Sequence, residues 1–214
     1  MDLYSYFQTR DTSQDTTIQM PWEVKGATRA DLPAYFKDKG FTRGAEIGVW
    51  AGEYSEELCQ GNPNLHLLCV DPWTSYPQYA EQRRYEKVFG QRGYSGAYNA
   101  AVARLAPYNC ELRKGFSVDV AATIPDQSLD FVYIDGNHCF EYVVADLAAW
   151  TPKVRDGGII AGHDYKNWGG IQVKPAVHGW TEARRIRPWF VLGRLRVCNG
   201  ERTEAFRSYL WTKT

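Results

Sequence analysis

Five short apolar runs punctuate the chain, and each ends on a small or polar residue where the backbone must turn. Ala45, Ile47 and Val49 mark the first, Leu65 to Val70 form the second, and Cys110 to Lys114 are a third. Leu129 to Ile134 form a fourth, and Gly157 to Gly162 a fifth. Runs this short, apolar on both faces, suit the inner strands of a parallel sheet covered by helices on both sides. Ala30 to Lys39, Glu53 to Gln60 and Val173 to Ala183 read as helices between them. Glu141 to Trp150 has helical spacing, with Val144, Leu147 and Ala148 inward and Pro152 past its end. Trp189 to Leu195 and Ser208 to Thr212 read as two last strands that pair as an antiparallel edge. The alternation predicts a doubly wound, mostly parallel α/β sheet of seven strands.

The flanks modify this picture. Residues 1 to about 25 are polar and predict a loosely held arm, so 1–40 reads as arm plus helix and 41–214 as the main domain. Within it, residues 74–105 carry Tyr76, Tyr79, Arg83, Arg84, Tyr85, Tyr94 and Tyr98, a helical segment placed to act as a lid.

Composition narrows the partners. The chain has 214 residues, enough for one sizeable domain, with 25 basic and 25 acidic side chains. That balance gives no global field to hold nucleic acid or an anionic membrane, so a small-molecule partner is expected and homo-oligomer formation is left open. Cys59, Cys69, Cys110, Cys139 and Cys198 contain no C-x-x-C pair and sit mostly in apolar runs, as reduced thiols of a cytoplasmic protein would. Neither a signal peptide nor a membrane span is expected. Eight Trp and fourteen Tyr hint at a pocket for a ring or sugar, although ordinary packing accounts for most of them.

In a doubly wound sheet ligands bind beyond the carboxyl ends of the strands, which makes the residues after each run the ones to inspect. The first run passes through E-x-G-x-x-x-G-x-x-S, that is Glu46, Gly48, Gly52 and Ser55. Two glycines there let a ligand approach the backbone, and the following helix aims its free N–H groups at the loop. Asp71 closes the second run 25 residues after Glu46, where a carboxylate can accept from both hydroxyls of a ribose; a turn or cap before Pro72 is the simpler use. Gly115, Phe116 and Ser117 follow the third run, Asp135 the fourth, and His163 and Asp164 the fifth.

Ile134-Asp-Gly-Asn-His138 and Gly157-Gly-Ile-Ile-Ala-Gly-His-Asp-Tyr165, together with the glycine loop, resemble the small-molecule O-methyltransferase group of the class I S-adenosylmethionine-dependent methyltransferases. The resemblance runs from about Phe41 to the C-terminus and implies a Rossmann-like methyltransferase fold. It implies that Glu46 and Gly48 line the methionine part of S-adenosylmethionine, with Gly52 and Ser55 in the same loop, and that Asp71 holds the ribose. Gly115, Phe116 and Ser117 would face the adenine, Trp73 would stack on it or pack in the core, and Asp135 would border the transfer centre. Several such enzymes hold a divalent metal through acids after these strands, which here implies Asp135, His163 and Asp164. Magnesium suits hard oxygen ligands, but His163 departs from that pattern and suits a softer ion or a base. His138 is the other candidate base, since imidazole titrates near neutrality, or else a helix cap bonded to Asp135. His66 and His178 read as structural. A nicotinamide-dependent oxidoreductase lacks its third glycine here, a metal-dependent hydrolase leaves Glu46 and Asp71 idle, and a non-catalytic binding protein stays open.

Overall fold

A computed structural model describes residues 3–6, 19–24, 26–76, 90–193 and 206–214. Its strands are β1 (Trp22–Val24), β2 (Arg43–Ile47), β3 (His66–Asp71), β4 (Cys110–Lys114), β5 (Leu129–Ile134), β6 (Val154–Gly162), β7 (Phe190–Leu192) and β8 (Tyr209–Thr212). Its helices are α1 (Leu3–Tyr6), α2 (Leu32–Asp38), α3 (Glu53–Gly61), α4 (Gly90–Leu105), α5 (Ser117–Ala121), α6 (Phe140–Trp150) and α7 (Val173–Ala183). One 8-stranded sheet runs in the order β1-β7-β8-β6-β5-β2-β3-β4. All neighbours are parallel except β8, which runs antiparallel to both β6 and β7.

The doubly wound architecture is the one the strand pattern predicts, with two refinements. Trp22 to Val24, in the stretch read as an arm, add an eighth strand by pairing with Phe190 to Leu192. Three residues are too few to show a period, so that strand is specified by its partner. The antiparallel strand β8 is inserted between β6 and β7, leaving β1 at the rim. Of the expected lid, Tyr79, Arg83, Arg84 and Tyr85 lie outside the described residues. Its C-terminal part, α4, buries Ala97, Ala101 and Leu105 in the core and contributes Tyr94 to the cleft. Among the described residues no helix is long and apolar enough to cross a membrane.

The core has two layers, one on each face of the sheet. On one side Phe36 of α2 stacks on Phe131 of β5 at 4.1 Å, with Phe41, Leu58 and Tyr133 around them. Gly44 makes room, because a Cβ there would lie 2.2 Å from the Phe131 ring. On the other side Leu147 and Trp150 of α6 and Val177 and Trp180 of α7 cover Ile47, Val132 and Ile160. Each such large side chain contributes roughly 1.5–3 kcal/mol by leaving water.

Strand order reverses at β2, which pairs in parallel with β3 on one flank and β5 on the other. The register aligns Ile47 with Ile134 and Ile134 with Gly162. The residues that follow those three, Gly48, Asp135 and His163, therefore emerge side by side at the crevice such a reversal creates.

Candidate active site

The loop after β2 is shaped by what presses against it. Gly48 has φ 90° and lies so close to β5 that a Cβ would stand 2.1 Å from the Asp135 carbonyl oxygen. Gly52, with φ 81°, precedes α3, and a Cβ on it would stand 3.3 Å from the Leu105 side chain, so its bareness serves the approach of α4. Between them Trp50 holds a left-handed φ of 50°, a conformation that costs a non-glycine residue roughly 1–2 kcal/mol. Asp71 holds it there: the amides of Val49 and Trp50 each donate to Asp71 Oδ2 at 3.0 Å. The amide of Trp73 donates to Oδ1 at 2.6 Å, and Trp73 Nε1 donates to the Trp50 carbonyl at 2.8 Å. Burial raises the Asp71 pKa, and these three backbone donors oppose the rise.

Glu46 and Ser55 lie beneath the loop and are not among the residues lining the cleft. Ser55 Oγ donates to Glu46 Oε2, and both side chains are buried. Desolvation pushes the Glu46 carboxyl up to about 8, despite the Ser55 bond. In this structure the Glu46 carboxyl is engaged by Ser55 behind the cleft wall.

Trp73 is a core residue, 1% exposed, meeting Tyr98 edge-on at 4.9 Å. Ser117 is buried and accepts from Trp150 Nε1 at 2.7 Å, while the Gly115 amide donates to the Asp71 carbonyl at 3.1 Å. Phe116 is exposed and touches the cleft indirectly, through Tyr76 at 5.2 Å. None of these four residues is among those lining the cavity, to which Thr74 and Tyr76 contribute. Asp146 sits nearby on α6, buried and pushed up to about 7 by desolvation.

Beyond the ends of β5 and β6 four titratable residues converge. His138 Nε2 lies 3.3 Å from Asp135 Oδ1 and 3.2 Å from Asp164 Oδ2. His163 Nδ1 lies 3.4 Å from Asp135 Oδ2. Burial alone would raise the Asp135 carboxyl, but His163 and His138 beside it outweigh that and hold it well below the usual range. The loop bearing His138 is fixed by Asn137, whose Oδ1 accepts from the Cys139 amide at 3.0 Å, and by the Gln172 amide, which donates to the His138 carbonyl at 2.8 Å.

Two cations that the strand-end rule does not find complete the wall. Arg29 comes from a 3₁₀ turn (Arg29–Asp31) closed by Thr28 and Asp31; its Nη1 is 3.8 Å from Asp135 Oδ2 and its guanidinium lies 4.9 Å from the Tyr54 ring centroid. Lys166 Nζ is 3.7 Å from Asp164 Oδ1 and 3.6 Å from the centroid of Phe206. The enclosed space is about 470 Å³, with Gly48, Trp50, Asp71, Thr74, Tyr76 and Tyr94 toward the loop and Asp135, His138, His163, Asp164, Lys166, Ile171 and Phe206 toward β6.

Ligand atoms of Asp135, His138 and Asp164 all lie within 4.8 Å of one another, two oxygens and a nitrogen that fit a divalent ion. His163 is not in that group.

A family model described as a methyltransferase domain matches residues 45–165, more than half of the chain, from β2 through the His163-Asp164 turn. The chain belongs to this methyltransferase-domain family. A curated relative, uncharacterized protein y4gI of Sinorhizobium fredii, is 25% identical over 141 residues, which cover 63% of this chain and 14% of that protein. Among solved structures, cofactor-bound Rv0187 from MTB has TM-score 0.56 at 16% identity, covering 95% of this chain and 86% of its own. An O-methyltransferase from Bacillus cereus in complex with SAH has TM-score 0.58 at 15% identity, covering 86% and 80%. An rRNA methylase from Streptococcus thermophilus has TM-score 0.56 at 13% identity, covering 86% and 93%. At these identities the likeness is one of fold.

Proposed function

We propose that the chain uses S-adenosylmethionine to methylate a hydroxyl of a small molecule or sugar-containing metabolite. One observation carries the reading: a histidine set between two carboxylates, Asp135 and Asp164, shares a cleft with Gly48 and Asp71. The family match supplies methyl transfer, and the Bacillus cereus enzyme with SAH supports the cofactor. The equal numbers of basic and acidic residues favour a small acceptor over RNA.

S-adenosylmethionine, when bound, supplies a methyl carbon already activated by a sulfonium. The chain then has to bind, align and exclude water. Gly48 leaves backbone open to a ligand, and Asp71 has acceptor capacity on Oδ1 beyond its bond from Trp73. His138 Nε2 can take the proton of the acceptor hydroxyl, with Asp135 and Asp164 stabilising the imidazolium that results. Arg29 and Lys166 offset the two acids, so a developing oxyanion does not meet uncompensated negative charge. Trp50, Tyr76 and Phe206 put aromatic surface on the walls of the cleft.

A second reading is favoured by the convergence of Asp135, His138 and Asp164, which would hold a divalent ion. When bound there, such an ion supplies a positive charge that lowers the pKa of a substrate hydroxyl. The two readings compete for one atom, His138 Nε2. Calorimetry with S-adenosylhomocysteine and with NAD tests the cofactor assignment. Heat with the first alone is expected, and the reverse would move the chain to dinucleotide chemistry.

A further inference from the structure

Away from the cleft, cysteines from three elements meet where α3 crosses β3 and β4. Cys59 Sγ of α3 lies 3.5 Å from Cys110 Sγ, the first residue of β4, across a sequence separation of 51. Cys69 of β3 is fully buried beside them, with its Sγ 3.6 Å from Ser55 Oγ and 3.8 Å from the Leu67 carbonyl. The ladder explains the meeting: Leu67 is in register with Cys110 and Cys69 with Leu112, so both cysteines project to the face that α3 covers with Leu58 and Cys59.

We infer that Cys59 and Cys110 are an oxidative modification site, closing to an intramolecular disulfide when a peroxide-class oxidant is supplied. The two sulfurs are already at van der Waals contact, and a bond of about 2.0 Å needs a further approach of roughly 1.5 Å. Cys110 is half-buried while Cys59 and Cys69 are buried, so the oxidant meets Cys110 first. Bonds offered by the Cys59 and Cys69 thiols favour the Cys110 thiolate, and burial opposes them less strongly. That thiolate attacks one oxygen of hydrogen peroxide, the O–O bond breaks to leave a sulfenic acid on Cys110, and the departing hydroxide takes up the proton the thiol had released to become water. The Cys59 sulfur then attacks it, the S–S bond forms, and the hydroxyl leaves as a second water. Two S–H bonds are lost and one peroxide O–O bond is reduced. The product staples to β4 the helix whose first turn follows the Gly48 loop.

The test uses the full chain, reduced, desalted, treated with hydrogen peroxide, blocked with N-ethylmaleimide and mapped by mass spectrometry without reductant. A peptide joining Cys59 to Cys110 is expected, lighter by two hydrogens than its parts and released by dithiothreitol. The same sample should show a higher Tm before reduction than after. Cys110→Ser should abolish the cross-link, and Cys139→Ser should leave it. A Cys69–Cys110 link, or full alkylation of Cys59 after oxidation, overturns the assignment. Because the decisive map is made on unmodified sequence, a variant that fails to fold does not blunt it.

Discussion

Gly48 stands against Asp135, with room for no atom between the loop that would hold the methyl donor and the carbonyl beside the candidate base. One close approach therefore couples the two halves of the site. A Cβ at 2.1 Å from that carbonyl must displace either the loop or the end of β5, and φ 90° is itself strained for alanine. Gly48→Ala is expected to weaken S-adenosylhomocysteine binding by at least about tenfold and to cost roughly 1–3 kcal/mol of stability. Isothermal calorimetry and denaturant melts measure both. Native affinity in the variant would mean that the ligand does not depend on this loop.

Asp71 clamps the loop and, on the proposed reading, would also accept the ribose hydroxyls, and its variants should separate the two roles. Removal of the carboxylate orphans the Val49, Trp50 and Trp73 amides as well as the ribose hydroxyls it would accept. Asp71→Ala should lower affinity for S-adenosylhomocysteine by roughly 1.5–3 kcal/mol and also lower Tm. A fall in Tm with unchanged affinity would leave Asp71 as a clamp on the loop alone.

The cleft residues differ in how legible they were in the sequence. Asp71, Asp135, His163 and Asp164 were found because strand ends in a parallel sheet deliver their next residue to one crevice, and the apolar runs locate those ends. Trp73 and Ser117 sit at such ends too, yet their side chains turn into the core, a choice made by partners such as Tyr98 and Trp150 that spacing does not reveal. Arg29 and Lys166 reach the site from a turn and a loop, which carry no period. Arg29 also lies between the stretch read as an arm and the helix read from Ala30, where no strand end points to it. The glycine loop was visible, but the division of labour between Gly48, facing Asp135, and Gly52, facing Leu105, follows from contacts far along the chain.

Glu46 should make stability depend on pH in an unusual direction. Its carboxyl rises from 4.5 to about 8 on folding, so the fold favours the protonated form. Its contribution is full below about pH 4.5 and is lost as pH rises toward 8, because the unfolded chain releases a proton that the folded chain keeps. Glu46→Gln retains a partner for Ser55 without the ionisation. The variant is expected to gain on wild type as pH rises from 5 to 8, by an amount on the order of a few kcal/mol. Urea melts at both pH values check it, and an equal offset at each would place the carboxylate in a more polar setting than its burial indicates.

The competition for His138 Nε2 can be resolved at the level of binding, before any acceptor is known. If Asp135, His138 and Asp164 hold an ion, Mn²⁺ added to the protein should bind with measurable heat and an altered electron spin resonance signal. Asp164→Ala and His138→Ala should each remove that binding while leaving S-adenosylhomocysteine affinity intact, since neither residue belongs to the Gly48 and Asp71 loop. His163→Ala should weaken Mn²⁺ less, because His163 touches Asp135 without joining the trio. That outcome would favour the second reading and make His138 a ligand in place of a base. Should Mn²⁺ fail to bind at all, His138 is left as a base, and with an acceptor in hand His138→Ala should then lower turnover by roughly 10²–10⁴-fold with cofactor binding retained. An enzyme that ignores chelator and tolerates His138→Ala would refute both, and would shift the chemistry to His163.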